Sequence, residues 1–115
     1  MTELATVDAV TVDGSPVVRV SGEIDLSNAA DVMEAIATTL PAALPANATT
    51  VVVDLSDTGY VDSAGIAMLF RLAERLGHGR QQLHLVVPVG APIRRVLELT
   101  NLTGVIPVHD APRAT

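Results

Sequence analysis

The chain has 115 residues, 49% of them hydrophobic, which suits one domain with an ordinary apolar core. It contains no cysteine, and its seven basic residues are all arginine. Disulfides, thiolate metal sites, cysteine nucleophiles and lysine-dependent phosphate or Schiff-base chemistry are therefore excluded. The net charge of −6, with Tyr60 and Phe70 the only aromatic residues, argues against direct nucleic-acid binding, which needs a basic surface and stacking platforms. Residues 1–62 carry ten acids and one arginine (−9), and residues 63–115 carry three acids and six arginines (+3).

Val10 and Val12, then Val17, Val18 and Val20, flank Asp13-Gly14-Ser15-Pro16 and predict a hairpin. Ser21-Gly22 is expected to end its second strand. Ser27-Asn28 offers a helix N-cap, and apolar residues at 29, 32, 33, 36, 37 and 40 follow with helical spacing. Pro41 and Pro45 are expected to stop that helix. Val51–Leu55 reads as a short buried strand, and Ser56-Asp57-Thr58-Gly59 as a turn. Asp62-Ser63 opens a second helix with apolar positions 66, 69, 70, 73 and 76, and Gly77 is its expected cap. Leu83–Val87 predicts a strand. Pro92 starts a third helix, with Ile93, Val96, Leu97 and Thr100 on one face and Asn101 at its end. Val105-Ile106-Pro107-Val108 predicts a last strand, placed at a sheet edge by its proline. The tail from Asp110 is expected to be mobile. The order β-β-α-β-α-β-α-β implies one α/β domain with a mixed sheet, its core at about 7–109. No leader or spanning segment is expected. The N-terminus, Met-Thr-Glu, lacks a basic and apolar leader pattern, and the uncharged run Ala35–Val53 is broken by Pro41 and Pro45. Cytoplasmic location without membrane insertion is the resulting expectation.

Loops that join strands to helices are where open α/β sheets bind their ligands. Asp62-Ser63-Ala64-Gly65 is such a place. Asp62 is positioned to accept amides from the first helical turn, which leaves the Ser63 hydroxyl outward beside two small residues. Capping alone also accounts for both residues. A hydrolase elbow is ruled out because Val61 stands where Gly-x-Ser-x-Gly needs glycine. His78, His84 and His109 lack metal-ligand spacing and read as surface or satisfied histidines. Asp54, Asp57 and Asp62 could gather around Mg²⁺, but turn and helix capping explains them without a metal. Gly77-His78-Gly79 lacks the third glycine of a dinucleotide loop. Arg94-Arg95 reads as a solvated face. No catalytic residue, metal or cofactor is expected.

Tyr60-Val61-Asp62-Ser63-Ala64-Gly65-Ile66-Ala67 resembles the signature of STAS domains, the family of bacterial anti-sigma factor antagonists. Ser21-Gly22-Glu23-Ile24-Asp25 is similar to the family's Gly-Glu-Leu-Asp segment. Leu97–Ile106 is similar to its third helix and the approach to a final strand. Together, in order, these cover most of residues 7–109. The resemblance implies a STAS-like mixed sheet of four or five strands packed with helices, and a non-enzymatic binding module. It implies that the unmodified protein captures an anti-sigma factor with serine kinase activity and so frees a sigma factor. Phosphorylation at Ser63 would end the capture and a phosphatase would reset it. The same resemblance places Glu23, Asp25, Asp62, Ser63, Gly65 and Ile66 on the partner-binding surface. Ala64 stands where many relatives have a second hydroxyl residue, leaving one acceptor. Other STAS domains serve as scaffolds or subunits of signalling or lipid-transport complexes, without serine phosphorylation.

Overall fold

The computed structural model describes residues 4–45 and 47–111. Strands β1 (Ala5–Val12) and β2 (Ser15–Ile24) form the expected hairpin. Its turn is narrower than the Gly/Pro cluster suggests. Asp13 and Gly14 alone make it, with φ of 50° and 83°, the left-handed pair that matches the twist of adjoining strands. Ser21-Gly22 does not end β2. Gly22 adopts φ 103°, and a Cβ there would collide with the Leu4 carbonyl oxygen. Glycine lets β1 and β2 approach closely while the strand continues to Ile24.

Helix α1 (Ala29–Ala43) runs through Pro41 rather than stopping before it. The Leu44 N–H still reaches the Leu40 carbonyl at 3.0 Å, so the final turn closes although proline supplies no donor of its own. The larger departure is β3, which extends over Thr50–Val61 where a turn is expected at residues 56–59. Pairing with β2 holds the segment extended. Arg19 lies beside Asp54 and Ser21 beside Asp57; Gly22 lies beside Thr58 and Glu23 beside Tyr60. Each step adds one residue to β3, so the turn-forming residues serve as β-bulges instead. The Thr58 hydroxyl donates to the Val20 carbonyl at 2.8 Å and anchors the bulged segment.

Helix α2 (Ser63–His78) is capped by Gly79, with Gly77 inside it. Strand β4 (Gln82–Val86) leads to the short helix α3 (Arg94–Leu99), which Thr100 caps before Asn101 turns the chain with φ 60°. Of the predicted strand at residues 105–108, Val105–Pro107 form the irregular exit from a 3₁₀ turn at Leu102–Gly104, and only Val108 joins the sheet, in the two-residue β5 (Val108–His109). The Leu102 carbonyl accepts the N–H groups of Val105 and Ile106, which holds that apolar run out of the sheet. Asp110 is tied to Arg94 at 3.3 Å, and residues 112–115 of the expected tail lie outside the described residues.

The sheet order is β1-β2-β3-β4-β5. Only the hairpin is antiparallel, and β2 through β5 run parallel. Consecutive parallel strands joined by right-handed crossovers place their helices on one face. There Val20, Val53 and Leu85 from the strands share one core with Ile36, Leu72 and Leu97 from the helices. Burying each such side chain is worth roughly 1.5–3 kcal/mol. The parallel arrangement puts the C-terminal ends of β2 and β3 side by side, with Ile24 next to Val61. The loops that follow them therefore emerge together.

Candidate functional site

Asp62 joins those two loops. One carboxylate oxygen accepts the Ala64 and Gly65 N–H groups at 2.9 and 3.0 Å. This satisfies two of the donors a helix start leaves unpaired. The other oxygen accepts the Leu26 N–H at 3.2 Å, across the 36 residues that separate the two positions in sequence. The Asp62 N–H in turn donates to the Ile24 carbonyl at 3.2 Å. The start of α2 sits close against the end of β2. A Cβ at Gly65 would lie 2.7 Å from a Val61 methyl and 3.1 Å from the Ile24 carbonyl oxygen. Ser63, the first residue of α2, is exposed.

The β2–α1 loop is shaped from within. The Asp25 carboxylate accepts the Ser27 N–H at 2.8 Å and the Ser27 hydroxyl. Asn28 does not cap α1 with its side chain. Its amide oxygen accepts the Asp25 N–H and its amide nitrogen donates to the Glu23 carbonyl, both at 2.8 Å. This clamp holds Leu26 outward with 84% of its surface exposed. Glu23 lies beside Tyr60 across the strands, and Tyr60 is 49% exposed. Of the residues singled out from sequence, Ser63 and Glu23 are exposed, Asp25 and Asp62 are partly exposed, and Gly65 and Ile66 are buried. The last two shape the surface from beneath and offer it little contact area. Leu26 and Tyr60 are missed by sequence reasoning. A lone leucine in a loop carries no motif, and its exposure depends on the clamp around it.

The model for "Mlab, STAS domain" matches residues 7–107. The chain is a STAS domain. Among solved structures, an anti-sigma factor antagonist from Mycobacterium paratuberculosis is 30% identical, with a TM-score of 0.74 over 93% of this chain and 86% of that one. A putative anti-sigma factor antagonist from Thermotoga maritima is 21% identical, with a TM-score of 0.69 over 91% and 86% of the two chains. The anti-sigma factor antagonist SpoIIAA in its unphosphorylated form is 19% identical, with a TM-score of 0.64 over 90% and 87%. The search of curated proteins gave no match. The STAS assignment and the antagonist resemblance agree with the three sequence segments that point to them.

Elsewhere in this STAS domain the other candidate chemistries resolve into structural contacts. Asp54 is 1% exposed. It accepts the Ser56 N–H at 2.8 Å and the Ser56 hydroxyl, and pairs with Arg19 at 3.4 Å. Among the described residues, no group of three or more His, Asp or Glu side chains is placed to hold a metal ion. His84 and His109 meet across β4 and β5, their Nδ1 and Nε2 atoms 2.9 Å apart, and His84 Nε2 lies 3.0 Å from the Gln82 amide oxygen. Burial, then the neighbouring His109, lowers the His84 pKa from its ordinary 6.5. Arg95 is exposed as expected, but Arg94 is not part of a solvated face. It donates to the Val87 carbonyl and pairs with Glu98 and Asp110, which ties α3 to the end of β4. Gly79 and Arg80 close α2 through backbone bonds to Leu76 and Gly77.

Proposed function

We propose that this STAS domain is a cytoplasmic, non-enzymatic anti-sigma factor antagonist that captures an anti-sigma factor with serine kinase activity and is switched off by phosphorylation of Ser63. The observation that carries the reading is the exposed Ser63 at the start of α2, beside a loop that Asp62 locks in place, in a chain similar to known antagonists. The similar fold of SpoIIAA has been solved in phosphorylated as well as unphosphorylated form, and this supports a fold that tolerates the modification. No helix among the described residues is long and apolar enough to cross a membrane.

The partner surface comprises Glu23, Asp25, Asp62 and Ser63, together with the exposed Leu26 and Tyr60, over a base formed by Gly65 and Ile66. Leu26 is the apolar anchor, since its backbone is already fixed in the loop and ordering that loop costs little on docking. In the switching step the γ-phosphoryl group of ATP passes to the Ser63 oxygen, ADP departs, and the hydroxyl proton goes to a base of the kinase. The product adds a charge of about −1.5 to −2 at neutral pH. The dipole of α2 favours an anion at its N-terminus, so the domain stays folded. A docked partner has to accommodate the same charge next to the Asp62 carboxylate. A penalty of ~2.7 kcal/mol already weakens binding about a hundredfold. A phosphatase acting on phospho-Ser63 restores capture.

The test is a pull-down with the cognate kinase, combined with mass spectrometry after incubation with ATP. Ser63→Ala is expected to bind and to resist release by ATP. Ser63→Asp is expected to lose binding by about a hundredfold. Undiminished binding by Ser63→Asp overturns the charge mechanism. A chain that stays bound in a complex yet is never modified at Ser63 is instead a STAS scaffold or regulatory subunit.

A further inference from the structure

We infer that Asn28 is a positioning residue for partner capture: its side-chain amide holds the loop from Glu23 to Ser27 in the shape that docks, and it acts through Leu26 rather than through contact of its own. The inference rests on the role proposed for the Ser63 surface and names a residue that sets its affinity. Asn28 occupies the N-cap position of α1, with φ −132° and ψ −3°, yet its side chain caps nothing. Asparagine at that position ordinarily turns its oxygen onto the amides of the first helical turn. Here the side chain is turned back onto the loop. Its Oδ1 accepts the Asp25 N–H and its Nδ2 donates to the Glu23 carbonyl, both at 2.8 Å.

The clamp is chemically selective. It needs a donor and an acceptor side by side at the end of a short side chain, and asparagine supplies both. An aspartate there would keep the acceptor and lose the donor, and its second oxygen would face the Glu23 carbonyl. The rest of the loop closes on the same point. The Asp25 carbonyl accepts the Asn28 and Ala29 N–H groups at 3.2 and 2.8 Å, and the Asp25 carboxylate accepts the Ser27 N–H. The Glu23 N–H donates to the Leu4 carbonyl at 2.8 Å, so the bond from Asn28 fixes the other end of that residue. Leu26 lies between these contacts, its own N–H donating to Asp62 at 3.2 Å.

Asn28 is partly buried while Glu23, Leu26 and Ser27 are exposed, so it supports a surface to which it adds little area. The bonds of the clamp lie near solvent, where water replaces a broken one at small cost to the fold. The consequence falls on the loop. With the clamp open, the backbone on either side of Leu26 can turn, and only the fraction of chains in the docking shape binds. Apparent affinity scales with that fraction. Leu26 is where the loss is felt, because its exposed side chain stands on the backbone that the clamp fixes.

The experiment is a double-mutant cycle on the full chain, with binding to the cognate kinase titrated at a temperature where every variant is folded. Asn28→Ala and Asn28→Asp should each weaken binding about tenfold, as a competent fraction of about one tenth requires, with little change in the urea midpoint. In chains that already carry Leu26→Ala, the same substitutions should have little further effect, because residues that act as one unit are not additive. Amide exchange of the free chain supplies a readout without the partner. In Asn28→Ala the N–H groups of Leu26 and Ser27 keep their acceptors, Asp62 and Asp25, and should nevertheless exchange several-fold faster. Full additivity with Leu26→Ala, a loss in Asn28→Asp alone (an effect of added charge), or exchange that changes only at Asp25 would each overturn the proposal. Ser63→Asp in the same titration tests the underlying reading separately. Undiminished binding there, with the Asn28–Leu26 coupling present, would refute the charge switch and leave the clamp standing, whereas a chain that captures no kinase would refute both.

Discussion

Two aspartates on one length of chain, Asp54 and Asp62, use the same local chemistry to opposite ends. Each accepts a backbone N–H from the residue two positions on, Ser56 in one case and Ala64 in the other. Asp54 does so in the middle of β3, 1% exposed and paired with Arg19. There the contact fixes the bulged course of the strand. Asp62 does so where β3 gives way to α2, partly open to solvent, and its second oxygen reaches the β2–α1 loop. There the contact presents Ser63 and Leu26. The motif alone does not separate structure from function. What lies on the far side of the carboxylate does.

The sharpest way to break the comparison is to remove each carboxylate in turn. Asp54→Ala leaves Arg19 and Ser56 without their acceptor at a partly buried site, and should cost about 2–3 kcal/mol in a urea denaturation. A loss below about 1 kcal/mol would mean that Asp54 is no more structural than an ordinary cap. Gly65→Ala should cost roughly 2 kcal/mol by overpacking, since its new methyl would meet Val61 and the Ile24 carbonyl. Partner binding should fall with it as the two loops are pushed apart, measured by the same pull-down at a temperature where the variant is folded. Asp62→Ala should cost only about 1 kcal/mol, the value of a lost cap. Its effect on partner capture should exceed its effect on stability, because Leu26 loses its tether to α2. Equal losses in both assays would remove the distinction between the two aspartates.

The smallest effect concerns a third region, the edge formed by β4 and β5. His84 binds a proton less readily in the folded chain than in the unfolded one, so the unfolded state carries more protons as pH falls through the range at and below 6.5. Stability therefore rises with pH there, and the contribution of His84 is present above that range and lost beneath it. In the neutral pair, His109 Nε2–H donates to His84 Nδ1 and His84 Nε2–H donates to Gln82. Denaturation midpoints should drop between pH 7 and pH 5, and His84→Gln should flatten that part of the profile. A slope unchanged in the variant would assign the acid sensitivity to other groups.

Much of this domain was open to reading from residues alone. The alternating valines around Asp13-Gly14 mark the hairpin, and Asp62-Ser63 marks a helix start, because both signals act within a few residues of themselves. The readings that needed revision share one cause. Ser56–Gly59 has the composition of a turn, yet it stays extended because β2 offers a parallel neighbour and two bulges absorb the misfit. Pro41 stays inside α1, and Val105-Ile106 folds back on Leu102 before the sheet resumes.

The sequence by itself determined the order of strands and helices, the absence of cysteine and lysine chemistry, and the aspartate that begins α2. Hydrophobic period, composition and capping are properties of neighbouring residues. Only the tertiary structure decided that Leu26 stands out from a loop tied to Asp62, that His84 meets His109, and that β1 lies at the end of the sheet among the described residues. Each of these depends on strands brought side by side from distant parts of the chain, and pairing at such separations is set by the packing of the whole core.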